Sequence, residues 1–145
     1  MRPAHVIEAG NPPAELSVLG ERVLIFGQGD LSKPFEVHIQ EGHAGGGPPA
    51  HHHPWDEAFF VLEGEVEISI ENVARTLGPG SYVHIPAGTV HAYTNRSDTT
   101  KLLAVVSDSR GGKLFEALDA NAEKLPGDGA LLNEIAGSLD VHFQV

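Results

Sequence analysis

The chain contains no cysteine. Neither a disulfide framework nor a thiolate metal site is open to it, so any metal must be held by histidine and carboxylate. Cationic side chains are scarce: 9 Lys and Arg stand against 20 Asp and Glu, a formal net charge of −11. That surplus repels a phosphate backbone and no basic cluster offsets it, which argues against a nucleic-acid partner. Long apolar runs are missing as well. No stretch reaches the roughly 18 apolar residues of a membrane-spanning helix. The opening MRPAHVIEAGNPPAELSVLG lacks the continuous apolar segment of a secretory leader. These absences lead to the expectation of a cytoplasmic protein without a membrane partner.

What the chain does have is turn formers and histidine. The 17 Gly and 10 Pro in 145 residues favour many short strands, and 41% hydrophobic residues suit one compact domain. Alternating, β-branched or aromatic segments at Arg22 to Phe26 and Phe35 to Gln40 read as strands separated by Gly27, Gly29, Asp30 and Pro34. Glu57 to Leu62 and Glu65 to Ile70 read as a hairpin turning at Glu63-Gly64. Tyr82 to Ile85, Val90 to Thr94 and Lys101 to Ser107 supply further strands. Many strands without intervening helices predict a sandwich or barrel, not a parallel α/β sheet.

The pattern changes at Gly111-Gly112. Leu114, Phe115, Leu118 and Leu125 fall near one helical face, and Pro126-Gly127 ends the run. Asp128 then caps a second expected helix through Leu139, striped by Leu131, Leu132, Ile135 and Leu139. Val141, Phe143 and Val145 alternate at the end. The expected organisation is an N-terminal arm over 1–20, a β-barrel over 21–110, and a helical extension over 111–145 packed on the same domain.

Three of the 9 histidines are consecutive, in HHHPWDEAFF. Side chains alternate along a strand, so His51 and His53 share a face while His52 points away. Glu57 has the same parity, and His91 opens another alternating run with Tyr93 and Asn95. Three imidazoles and one carboxylate can thus converge on a first-row divalent ion and leave coordination positions open for a ligand. Glu57 has a second possible part, since a carboxylate that leaves the metal can act as general base. His5, His43, His52 and His142 read as packed or solvated residues. His38 and His84, in expected strands, are candidates to face the cavity and support the ligands. Phe59, Val61 and Tyr93 share the ligands' parity and would wall the site with apolar surface, whereas Trp55 and Asp56 read as surface loop residues.

These residues resemble the cupin family. The first family motif, G-x5-H-x-H-x3-E-x6-G, is met by Gly45, His51, His53, Glu57 and Gly64, and the second, G-x5-P-x-G-x2-H-x3-N, by Gly80, Pro86, Gly88, His91 and Asn95. The resemblance covers roughly Leu24 to Ser107 and implies an all-β double-stranded β-helix, a jelly-roll barrel, with a metal on His51, His53, Glu57 and His91. The ion implied is one divalent transition metal, Fe, Mn, Ni, Co, Cu or Zn. Segments such as HHHPWDEAFFVLEGEVEI and GSYVHIPAGTVHAYTNRSD look like small single-cupin proteins classed as quercetin-dioxygenase-like. That likeness implies a metal-dependent dioxygenase acting on a small enolic or phenolic molecule, with Glu57 taking the substrate proton, in a homodimer. The same barrel also hosts oxygen-independent isomerases and decarboxylases, and non-catalytic binding proteins. A C-terminal tail found across the barrel mouth would favour the binding reading.

Overall fold

The computed structural model describes residues 3–27 and 35–144. Gly29, Asp30 and Pro34 of the first expected turn, and Val145, lie outside them. The strands are β1 (Leu16–Val18), β2 (Glu21–Phe26), β3 (Glu36–Gly42), β4 (His51–His52), β5 (Glu57–Glu63), β6 (Val66–Ile70), β7 (Val73–Leu77), β8 (Tyr82–Ile85), β9 (His91–Asn95), β10 (Thr100–Val106) and β11 (His142–Phe143). The helices are α1 (Arg110–Ala120) and α2 (Gly129–Gly137). A six-stranded sheet runs β1-β2-β3-β10-β5-β8 and a five-stranded one β11-β4-β9-β6-β7. Every ladder that joins neighbouring strands is antiparallel. The two sheets enclose a common interior, which is the jelly-roll barrel expected. Among the described residues, no helix is long and apolar enough to cross a membrane.

Strict alternation decides which side chains enter that interior. Along β3 and β10 every second residue is buried, and β9 does the same from His91 to Asn95. In β3 the inward positions carry Glu36, His38 and Gln40, all polar and buried. Apolar residues form two clusters. One, the floor, gathers Phe59, Val61, Val66, Ile68, Ile85, Tyr93, Leu102 and Ala104. The other, the mouth, joins Val18, Val23, Ile25, Trp55 and Val106 to Leu114, Leu118, Leu125, Leu132, Ala136 and Val141. The helical tail therefore packs on the barrel rather than beside it.

The structure corrects three local expectations. Glu57–Glu63 and Val66–Ile70 are not a hairpin: β5 pairs with β10 and β8, while β6 pairs with β7 and β9. Gly64, at φ 75°, carries the chain from one sheet to the other, and a Cβ there would lie 2.4 Å from the Thr99 carbonyl oxygen. Val73–Leu77, which the sequence left unassigned, is a strand exposed along nearly its whole length, so it carries no alternating signal. Finally, α1 starts at Arg110 and ends at Ala120, not at Leu125. Gly111-Gly112 form its first turn because the cap is tertiary: Glu36 Oε1 accepts the Gly112 N–H at 2.9 Å. Asp128 does cap α2, accepting from the Leu131 N–H at 2.9 Å.

Candidate metal centre

The two motifs meet across the five-stranded sheet, where His51 of β4 lies directly opposite His91 of β9. A hydrogen bond from the Gly88 N–H to the His53 carbonyl, 2.8 Å, ties the second motif's turn to the first motif's loop. Gly88 sits at φ 83°, the left-handed conformation that frees its N–H to point there. Glu57 enters from the other sheet as the first residue of β5. All four side chains are buried, at 9%, 5%, 7% and 2% exposure for His51, His53, Glu57 and His91.

Each imidazole is oriented the same way. Nδ1 lies 2.9 Å from the Pro49 carbonyl in His51, 3.0 Å from that of Trp55 in His53, and 2.8 Å from that of Thr89 in His91. A carbonyl can only accept, so each Nδ1 carries a proton and each ring turns its Nε2, the nitrogen left for a metal or for a proton shared with Glu57, inward. One ligand atom from each ring lies within 4.8 Å of the other two. Glu57 Oε2 is 2.9 Å from His53 Nε2 and 3.3 Å from His91 Nε2. At that second distance the geometry is an ionic contact rather than a hydrogen bond, and His91 Nε2 has no hydrogen-bond partner among the described residues.

Four acceptors that face one another repel unless protons or a cation lie between them, and the charges show the conflict. Burial, together with the neighbouring His91, pushes His51 down to about 4 against the pull of Glu57. Burial opposes charge on Glu57 and on His91 too. Their mutual contact and that of His53 outweigh it, so Glu57 falls below the usual carboxylate range and His91 rises above the usual imidazole range. A nitrogen-rich set with one carboxylate suits a divalent transition ion, which would satisfy all four groups at once. The donor set fits the metal that the sequence implied.

A cavity of about 70 Å³ adjoins this cluster. That space exceeds the room needed by a single water several-fold. Glu57, His51, His53, Phe59, Tyr93 and His38 line it. Two residues expected there do not. Val61, two positions beyond Phe59 on the same face of β5, stands one row deeper and packs in the floor. His84 points outward: its Nε2 bonds Asp56 Oδ2 at 3.0 Å on the surface, and its side chain is 47% exposed. Asp56 is a surface residue as read, and it also accepts the Ala87 N–H at 3.0 Å.

Trp55 is a correction in the opposite sense. It is 4% exposed and stacks on His53, with ring centroids 4.4 Å apart and planes at 9°. Arg110 lies over its other side, 5.2 Å from the ring centroid. The tail completes the enclosure, since Phe143 pairs with His51 in the β11–β4 ladder and its ring lies 5.2 Å from the imidazole. Leu114, Phe115, Leu118 and Val141 add further lining from the same extension. The Tyr93 hydroxyl is held by Glu21 at 2.5 Å and Gln40 at 2.8 Å, and Asn95 Nδ2 donates to Glu21 at 3.0 Å. Burial raises the Glu21 carboxyl despite those hydrogen bonds. Glu21 and Gln40 were missed as cavity residues, although for Gln40 the alternation of β3 carried the signal.

Known proteins share parts of this sequence and this fold. A quercetin 2,3-dioxygenase of Bacillus subtilis (strain 168) is 30% identical over 103 residues, 70% of this chain and 31% of that protein. The dimethylsulfoniopropionate lyase DddQ of Ruegeria pomeroyi is 47% identical over 45 residues, 30% of this chain and 22% of that protein. The chain thus spans about a third or less of each of these relatives. An RmlC-like cupin from Shewanella frigidimarina superposes with a TM-score of 0.67 at 17% identity, covering 75% of this chain and 95% of that one, a likeness of fold. The family model described as Cupin domain matches residues 35–107, a span that holds both motifs and all four converging side chains, and the chain belongs to the cupin family.

Proposed function

We propose that this protein is a metal-dependent dioxygenase acting on a small organic molecule with an enol or phenol oxygen. The observation that carries the reading is the inward set of three Nε2 atoms and one carboxylate beside a cavity walled by Phe59, Trp55 and Tyr93. His51, His53, Glu57 and His91 would hold the ion, which when bound would supply Lewis acidity toward a substrate oxygen and, if redox-active, a route to O₂. The protein's own residues do the rest. Glu57 takes the substrate hydroxyl proton, the aromatic walls hold the ring and exclude water, and the backbone carbonyls behind each imidazole keep its orientation through the reaction. The 30% identity to a quercetin dioxygenase supports this direction.

The test is oxygen uptake by protein reconstituted in turn with Fe(II), Mn(II), Ni(II) and Co(II), offered flavonols, catechols and β-diketones, with His53→Ala as control. Uptake that needs both substrate and His53 is expected. Turnover of substrate without oxygen consumption would move the assignment to a metal-dependent isomerase or decarboxylase. A second reading, a non-catalytic binding protein, is favoured by one observation, the tail residues Val141 and Phe143 that close the cavity beside His51. Substrate binding without any turnover would select it. The homodimer is proposed with either reading, through Phe60, Leu62 and Tyr82, which are exposed on the outer face of β5 and β8. Light scattering on the purified protein tests it.

A further inference from the structure

Away from the four converging groups, β3 sets a second polar pair into the cavity wall. His38 is 0% exposed, lines the cavity, and lies with Nε2 3.1 Å from Glu36 Oε1. That oxygen already accepts the Gly112 N–H from the first turn of α1, so it serves as acceptor and His38 Nε2 carries the proton. The neutral ring then has a bare lone pair on Nδ1, and Nδ1 has no hydrogen-bond partner among the described residues. Packing fixes the ring on two further sides. Phe115 meets it edge-on with centroids 4.9 Å apart, and a Cβ on Gly111 would come within 3.4 Å of His38 Cε1. A buried, oriented acceptor without a donor is costly in a folded protein, and such groups mark places where a ligand completes the bonding.

The register sets its distance from the metal centre. Glu57, Val106 and Glu36 lie in one row across β5, β10 and β3, and His38 lies in the next row with Ala104 and Phe59. Two strand spacings and one row along the strands, about 12 Å of backbone in all, separate Glu57 from His38, and both side chains project from this sheet into the barrel interior. Between them the intervening strand β10 offers only apolar side chains, Val106 and Ala104, of which Val106 lines the cavity.

We propose that His38, oriented by Glu36, is a specificity-determining residue that accepts a hydrogen bond from a second hydroxyl of the substrate. The molecule bound is then a single-ring phenol with two hydroxyls on opposite sides, one directed to the metal centre and the other to His38 Nδ1. This rests on the phenolic reading above and narrows it. A ligand capped at the second oxygen keeps its shape but offers His38 no donor, and is bound more weakly.

The test uses metal-loaded full-length protein under anaerobic conditions, with calorimetric titration of hydroquinone, 4-methoxyphenol and phenol. Hydroquinone is expected to bind about tenfold more tightly than either mono-hydroxyl probe, the size of one buried hydrogen bond. In His38→Phe that ratio is expected to fall to about one while phenol affinity and metal content are unchanged. Glu36→Gln retains an acceptor for Gly112 but removes the charge that orients His38, and is expected to lower the ratio part of the way. It serves as the second arm should His38→Phe fold poorly. A ratio of one in wild type, or a preference that survives in His38→Phe, would overturn the assignment to His38. Failure of metal-loaded wild type to bind even phenol would overturn the phenolic reading itself.

Discussion

The floor and the mouth of the barrel are both apolar, yet they are assembled differently. The floor draws on Phe59 to Ala104, where the buried residues of β5, β6, β9 and β10 alternate. The mouth joins residues from Val18 to Val141, and its helices reach the barrel only through contacts distant in sequence. Glu57 and His91 stand on β5 and β9 of the first region, His51 and His53 on β4 and the loop after it, and three of the four line a cavity closed by the second region. The floor thus carries part of the converging set, while a cover built from segments distant in sequence closes the cavity. Variants in each region should therefore differ in kind and not only in degree.

Leucine truncations should divide the two regions most strongly. Leu102→Ala in the floor and Leu118→Ala in the mouth, both 1% exposed, should each cost about 2–5 kcal/mol in denaturant unfolding. Only Leu118→Ala should also open the cavity. Trp55 is the single tryptophan, so acrylamide quenching of its fluorescence reports the opening, rising in Leu118→Ala and staying near wild type in Leu102→Ala. Equal quenching in both would erase the distinction between floor and cover.

Acid should act next. His51 is held at about 4 by burial, against an unperturbed value of 6.5. Between those values the unfolded chain binds a proton that the folded one refuses, so the stability of metal-free protein falls as pH drops from about 6.5 toward 4, by up to about 1.4 kcal/mol per pH unit. His91, shifted upward, gains its stabilising share mainly above that window, whereas Glu21, also shifted upward, binds a proton in the folded state ahead of the unfolded one and offsets part of the loss. Urea unfolding of metal-free protein at several pH values measures the slope. His51→Phe should reduce the acid-side loss, and a slope that this substitution leaves unchanged would contradict the inward-facing, buried His51.

The smallest effect belongs to the cover's edge. Arg110 lies over Trp55 and pairs with Asp108 and Asp140 at 2.9 and 2.5 Å, but its side chain is 33% exposed. Solvent screens those pairs, so Arg110→Ala should cost only about 1 kcal/mol, chiefly through the lost cation–π contact. Thermal unfolding checks it. Trp55 quenching should rise slightly, in the same sense as in Leu118→Ala.

The comparison also explains what could be read from the chain alone. Alternation and spacing placed His51, His53, Glu57 and His91 together because strand parity is a local property, and the fixed motif intervals supplied the register. The same logic found Phe59, Tyr93 and His38. It failed where tertiary contacts decide. Trp55 looks like a loop residue until Arg110 and the tail cover it, and Gly111-Gly112 look like a break until Glu36 caps them from another strand. Val61 and His84 obey parity but not depth or face, because parity says nothing of how far along the barrel the cavity extends or which side of β8 turns inward. Phe143 reaches the site only through the β11–β4 ladder, a pairing of residues 91 positions or so apart that no local pattern announces.

The central claim is that the inward Nε2 atoms of His51, His53 and His91, with Glu57, hold one metal ion. Plasma mass spectrometry of metal per chain, after loading with a divalent transition ion and gel filtration, tests it directly on wild type, His53→Ala and His84→Ala. The account predicts one ion per chain in wild type and in His84→Ala, and a loss of most of it in His53→Ala. Equal retention by His53→Ala, or no retained ion in wild type, would contradict it.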